Sequence, residues 1–198
     1  MNIFFYTVFV YFLCIATLPL QVFIGLLIVI TSGMPMLFFQ KRIGKDGKTF
    51  TIFKFRTMQP DAEKKQKQLS PHNEAHGPVF KIRNDPRFTP LGKFLAHTGL
   101  DELPQIYNVC RGEMSIIGPR PLPVAEEKKL KSWQRERNRV KPGIVSPWVL
   151  EGYHHQTFDA WMKSDIAYAR QKSFWYDVSL FFRACGFLAT LLWREITH

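Results

Sequence analysis

The chain has 198 residues and a formal net charge of +11, and 46% of it is hydrophobic, 15% aromatic and 22% charged. That length holds one domain with a sizeable core plus an appendage and is short for two independent domains. The basic balance points to an anionic partner, yet no aromatic-basic recognition motif accompanies it, so nucleic acid is excluded as a partner.

No Asp, Glu, Lys or Arg occurs in residues 1–40, so all 27 basic and 16 acidic side chains follow Gln40. The uncharged run is dominated by Phe, Leu, Ile and Val and exceeds the roughly 18 apolar residues that mark a membrane helix. A secretory signal is the competing reading, but the run has no basic segment before it and no small-x-small site after it. A straight helix from Ile3 to Ile30 would be ~42 Å long at ~1.5 Å per residue, long enough to cross a bilayer. Pro19 breaks that run by removing a backbone hydrogen bond. A bent, re-entrant helix and a kinked spanning helix both satisfy the pattern. Lys41, Arg42, Lys45 and Lys48 follow directly, the cluster expected on the cytoplasmic side of a membrane. Cys14, Cys110 and Cys185 lack metal-type spacing and read as buried, inert thiols.

From Leu37 to Phe55, LFFQKRIGKDGKTFTIFKF is two strand-like runs around a Gly44 to Gly47 turn, a hairpin signal. Period-two alternation puts Phe50, Ile52, Lys54 and Arg56 on one face. Residues 59–90 are polar and proline-rich, with at most a short helix, and read as a surface excursion or lid. Two helical segments flank Thr98-Gly99, one over Leu91 to Leu95 and one over Leu100 to Tyr107. Val124 to Asn138 and Phe158 to Lys172 read as further helices. The last apolar segment, residues 174–194, suits either a helix in the membrane interface, with Trp175 and Trp193 at headgroup depth, or a helix facing the core.

Within LDELPQ, residues 100–105, two adjacent carboxylates repel each other in an apolar frame. With Asp101 as N-cap, Pro104 falls at N3, where its missing N–H is no loss, so the acids stand at a helix N-terminus. The bland reading is a cap and a first-turn acid. Against it stand three sets of cations on rigid backbone: Lys54 with Arg56, Arg120 between Pro119 and Pro121, and Arg137 with Arg139 and Lys141. They suit a polyanionic ligand. A carboxylate attacks phosphorus only if the repulsion of the phosphate oxygens is cancelled by a divalent cation, usually magnesium, or by several arginines. Asp101 then serves as a covalent nucleophile, and Glu102 positions metal or takes a proton.

KFRTM at 54–58, DPRFTPLGKFL at 85–95, LDELPQIYNVCRGEMSIIGPRP at 100–121 and VKPG at 140–143, behind an apolar anchor, closely resemble the bacterial sugar transferase family of small monotopic phosphoglycosyl transferases. The resemblance implies an α/β fold of the mostly helical α+β kind. Residues 1–40 would form a membrane-embedded re-entrant helix, and residues 41–198 a cytosolic catalytic domain with a short hairpin and an interfacial C-terminal helix. It implies magnesium-dependent transfer of a sugar 1-phosphate from a UDP-sugar to polyprenyl phosphate, with Asp101 as nucleophile and metal ligand and Glu102 in support. Lys54, Arg120 and Pro121 match its active-site motifs. Arg56, Arg87, Arg137 and Arg139 join them as substrate-binding candidates. The family's membrane break is Ser-Pro, where this chain has Leu18-Pro19. The implied setting is the cytoplasmic face of a bacterial inner membrane, with membrane lipid as a partner and a homodimer as an open arrangement. The competing class is a catalytically silent membrane-surface protein that binds anionic lipid or an assembly partner.

Overall fold

The computed structural model describes residues 3–75, 77–151 and 157–197. Helix α1, Ile3–Ser32, runs through Pro19 as one element. The Thr17 hydroxyl donates to the Leu13 carbonyl at 2.8 Å and accepts from Gln21 at 3.0 Å. A hydroxyl is thus present beside the proline, although it serves Leu13 rather than the Ile15 carbonyl that Pro19 releases.

The hairpin forms where the turn residues predict it. Strands β1, Leu37–Ile43, and β2, Thr49–Phe55, pair antiparallel from Leu37 opposite Phe55 to Ile43 opposite Thr49. Asp46 and Gly47 take the left-handed backbone that such a turn requires. Among the described residues, the excursion after β2 contains only short helical turns, Ala62–Lys65 and Ser70–His72, before α2, Pro90–Thr98. Gly92 faces the chain leaving β2 so closely that a Cβ there would lie 1.9 Å from the Thr57 carbonyl oxygen.

Beyond α2 come a 3₁₀ turn, Leu100–Gln105, and a short helix α3, Ile106–Cys110. The parallel pair β3, Ser115–Ile117, and β4, Gly143–Val145, was not legible in the sequence. The VKPG glycine explains its closeness: a Cβ on Gly143 would stand 2.0 Å from the Gly118 nitrogen. The expected helix from Val124 to Asn138 is a correction. One turn at Val124–Glu127 and a 3₁₀ segment at Ser132–Arg139 replace it, separated by an extended Lys131. Leu130 turns into the core there, and Asn138 doubles back to donate to Glu127 at 2.6 Å. A straight helix would hold those two residues ~16 Å apart.

Helices α4, Phe158–Gln171, and α5, Phe174–Thr197, complete the chain. The C-terminal segment is a helix with one face on the domain and the other exposed. Leu180 and Ala184 of α5 pack on the domain, while Trp175, Phe182, Trp193 and Ile196 stay exposed. The thiols also need correcting, since Cys14 and Cys110 are only half-buried and Cys185 is exposed.

Helix α1 lies along the domain instead of projecting from it. Its first half, with Tyr6, Val10 and Leu13, packs on Phe50, Ile52, Ile106 and Val109. Its second half, with Ile24 and Ile28, packs on Phe55 and Leu95. The opposite face leaves Phe5, Phe12, Ile15, Phe23 and Leu26 exposed. Helices α1 and α5 are both long and apolar enough to cross a membrane.

Candidate active site

The acids stand on a tight turn set by Gly99. That residue adopts the left-handed conformation, φ 75°, closing α2 and opening the 3₁₀ turn in one step. Just before it the Thr98 hydroxyl donates to the Phe94 carbonyl at 2.8 Å. Gly99, rather than Asp101, therefore occupies the cap position, and its carbonyl accepts from the Glu102 N–H at 3.1 Å. This corrects the expected boundary: with its carboxylate released from capping, Asp101 is available to other charges. Pro104 sits inside the turn, and the regular helix resumes only at Ile106.

β2 lies against this turn and brings Lys54 to both acids. Its ammonium donates to Asp101 Oδ2 at 3.2 Å and to Glu102 Oε1 at 2.6 Å. Arg120 Nη2 reaches the same Glu102 oxygen at 2.9 Å. The side chains of Asp101, Lys54 and Glu102 keep only 10%, 13% and 15% of their surface exposed. Two positive and two negative charges thus balance in a nearly closed place. Lys54 and Arg120 engage one oxygen of each carboxylate, and the other oxygens take no such partner among the described residues.

The two acids are electrostatically unequal. Burial pushes the Asp101 carboxyl above its usual range; Lys54 opposes this and the neighbouring Glu102 charge adds to it. Burial would raise Glu102 too, but Arg120 and Lys54 together hold it well below the usual carboxylate range. One acid stays firmly ionised, and beside it stands one whose ionised form is unsettled, a separation typical of reactive pairs.

Asn108, which the sequence reading missed, fixes Lys54 in place. It is fully buried, accepts from the Phe53 N–H at 3.2 Å, and donates to the Thr51 carbonyl at 2.7 Å and to Glu113 at 2.8 Å. It thereby fastens α3 to the strand carrying Lys54. The available signal was an amide among the apolar residues of IYNVC, on the face that Ile106 and Val109 bury.

The other cations do not converge on the acids. Arg56 lies just past the end of β2 and donates to the carbonyls of Ser32, Gly33 and Met34 at 2.6, 2.6 and 2.9 Å. It neutralises the C-terminal end of α1, which has no basic residue in its own last turn. Arg87 is closed into a buried pair with Asp85 at 2.6 Å and donates to the Ala62 carbonyl, holding the excursion together. Arg137 is buried against Asp165 and donates to the Arg120 carbonyl. Arg139 is exposed and lines a cavity of about 470 Å³ with Asp46, Lys128 and Arg135, a cavity that Asp101 and Glu102 do not line. Pro121 is buried, and its carbonyl accepts from Arg42 at 2.8 Å. Among the described residues, no cluster of three or more His, Cys, Asp or Glu side chains is placed to hold a metal.

The sequence pattern of bacterial sugar transferases matches residues 1–190. Among curated proteins the chain is 44% identical over 150 residues to the galactosyl transferase CpsE of Streptococcus agalactiae, covering 75% of this chain and 33% of that protein. It is 35% identical over 173 residues to the UDP-glucose:undecaprenyl-phosphate glucose-1-phosphate transferase of Escherichia coli, covering 83% of this chain and 35% of that one. With the exopolysaccharide production protein ExoY of Sinorhizobium fredii it shares 32% identity over 173 residues, covering 85% of this chain and 76% of that protein. The chain spans about a third of the length of the first two relatives.

Proposed function

The chain belongs to the bacterial sugar transferase family, and from that premise we propose that it moves a sugar 1-phosphate from a UDP-sugar to polyprenyl phosphate through a covalent Asp101 intermediate. A carboxylate oxygen of Asp101 attacks the β-phosphorus, and the bond from that phosphorus to the oxygen bridging to the α-phosphate breaks. UMP leaves with the electron pair, and the phosphosugar remains on Asp101. A phosphate oxygen of the polyprenyl acceptor then attacks the same phosphorus, releasing the polyprenyl diphosphate sugar and regenerating the carboxylate. Splitting one displacement into two in this way is nucleophilic catalysis. The observation that carries the reading is the placing of Lys54 on two adjacent acids, the first of them buried, and of Arg120 on the second.

Lys54 and Arg120 offset the charge that develops on the phosphate oxygens, and Glu102, kept ionised by both, holds the two cations at the reacting position. The donor set fits magnesium, which binds through one or two carboxylates and completes its shell with water and substrate phosphates. Asp101, with Glu102 beside it, would hold the ion. When bound it supplies Lewis-acid neutralisation of the diphosphate. The setting we infer is suggested by α1, whose two halves pack on the same domain while its other face stays apolar and exposed. That arrangement supports a helix that enters and leaves the bilayer from one side, with the exposed face of α5 in the interface and the catalytic domain on the cytoplasmic face of the inner membrane.

UMP release by the full chain, in detergent or nanodiscs with polyprenyl phosphate and magnesium, tests this across a panel of UDP-sugars. Release is expected with at least one sugar. Asp101→Asn is expected to abolish it without freeing the protein from membranes, and full activity in that variant would overturn the assignment.

A further inference from the structure

Arg120 is carried on a segment without regular secondary structure, in which Pro119, Pro121 and Pro123 offer no N–H. Such a segment is held chiefly through its carbonyls. The Pro119 carbonyl accepts from the Gly143 N–H and the Leu122 carbonyl from the Ile43 N–H, both at 3.0 Å. The two carbonyls between them are taken by guanidiniums: Arg137 donates to Arg120 and Arg42 to Pro121.

These two arginines differ in what else they satisfy. Arg137 is tied to Asp165, so it has a structural role of its own. Arg42 feels the like charge of Arg120 more strongly than the opposite charges of Glu126 or Glu102, and its Nε is buried without a hydrogen-bond partner among the described residues. Burial first and Arg120 second lower it to about 10, which leaves it ionised at neutral pH. A half-buried cation that feels the charge of another cation, with one buried nitrogen unsatisfied, costs stability. What it secures in return is the backbone on which Arg120 stands.

We propose that Arg42 is a positioning residue that acts through Arg120, fixing by its bond to the Pro121 carbonyl the direction in which the Arg120 guanidinium meets Glu102. In the reaction proposed above, this sets where the second positive charge stands relative to the transferred phosphate.

A double-mutant cycle on the full chain decides it, using Arg42→Met, Arg120→Met and the double variant, with thermal melting to verify folding. The first readout, ¹³C titration of the Glu102 carboxyl, needs no turnover. Arg42→Met is expected to move Glu102 up toward its ordinary value, and to move it much less once Arg120 is gone. Equal shifts in both backgrounds would mean that Arg42 acts only by its own field, and the proposal would fall. The second readout is UMP release, expected to drop about tenfold on Arg42→Met in the parent and less than about twofold in the Arg120→Met background. Arg42→Lys enters the same cycle with the charge retained, and takes the place of the Met variant if that one does not fold. A Lys variant that leaves Glu102 and its coupling to Arg120 unchanged also overturns the proposal. If no UDP-sugar gives UMP release in the parent, the transferase reading fails while the titration still decides the role of Arg42.

Discussion

Two of the places where this chain brings opposite charges together out of water are built differently. At Arg137 and Asp165 the side chains are 1% and 0% exposed, and Nε and Nη2 both reach Oδ2, at 2.9 and 2.7 Å. At Asp101 and Glu102, Lys54 of β2 meets both acids, and Arg120, from an irregular segment, meets Glu102 while remaining 36% exposed. The first site is closed, with its guanidinium's remaining reach spent on the Arg120 carbonyl. The second is balanced in charge, and among the described residues one oxygen of each of its acids has no ion-pair partner. A charge cluster receives a ligand when neutrality does not depend on every oxygen being occupied; the Asp85–Arg87 pair, at 2.6 Å and buried, belongs with the closed kind.

Breaking the closed pair is expected to have the largest effect. Arg137→Met strands Asp165 as an uncompensated buried charge and should cost about 3–5 kcal/mol of stability. Denaturant or thermal unfolding measures it, and a variant as stable as the parent would erase the distinction between the two sites.

Lys54→Met tests the open site through its pH dependence. Asp101 must be ionised to attack, burial already raises its pKa, and Lys54 is the group that lowers it most. Removing Lys54 raises that pKa further, so the acid limb of the kcat/KM profile for UMP release should move to higher pH. The rate above the limb should fall about 10²-fold with the lost electrostatic stabilisation. An unmoved limb would separate Lys54 from Asp101.

The smallest effect concerns Glu102. Its pKa is depressed in the folded chain, so its contribution to stability is present above the ordinary glutamate value of ~4.3 and is lost as the pH falls through the folded value. Glu102→Gln should leave unfolding at neutral pH changed by about 1 kcal/mol and make stability less steep in acid. Parallel stability-against-pH curves for the variant and the parent would show that the two cations do not hold Glu102.

Much of the site was legible. LDELPQ announced itself by repulsion, and Lys54 and Arg120 both came to the acids as the motifs imply. The errors share a cause. Alternation along a strand paired Arg56 with Lys54, but β2 ends at Phe55, and one residue later the side chain answers the carbonyls at the end of α1. A helix that lacks cations in its own last turn took one from a strand, and no local pattern records such a loan. Arg137 and Arg87 likewise meet aspartates, Asp165 and Asp85: a guanidinium on rigid backbone looks alike in sequence whether a phosphate or an aspartate completes it.

The sequence by itself determined the division between an uncharged first fifth and a charged remainder, the hairpin turn and the break at Thr98-Gly99. These follow from solvation, from backbone sterics and from contacts between near neighbours. Only the tertiary structure decided which cations meet the acids, because Lys54 and Arg120 reach Glu102 from distant parts of the chain. It also laid α1 along the domain, since helix packing depends on which faces two segments present to each other and not on how apolar either one is.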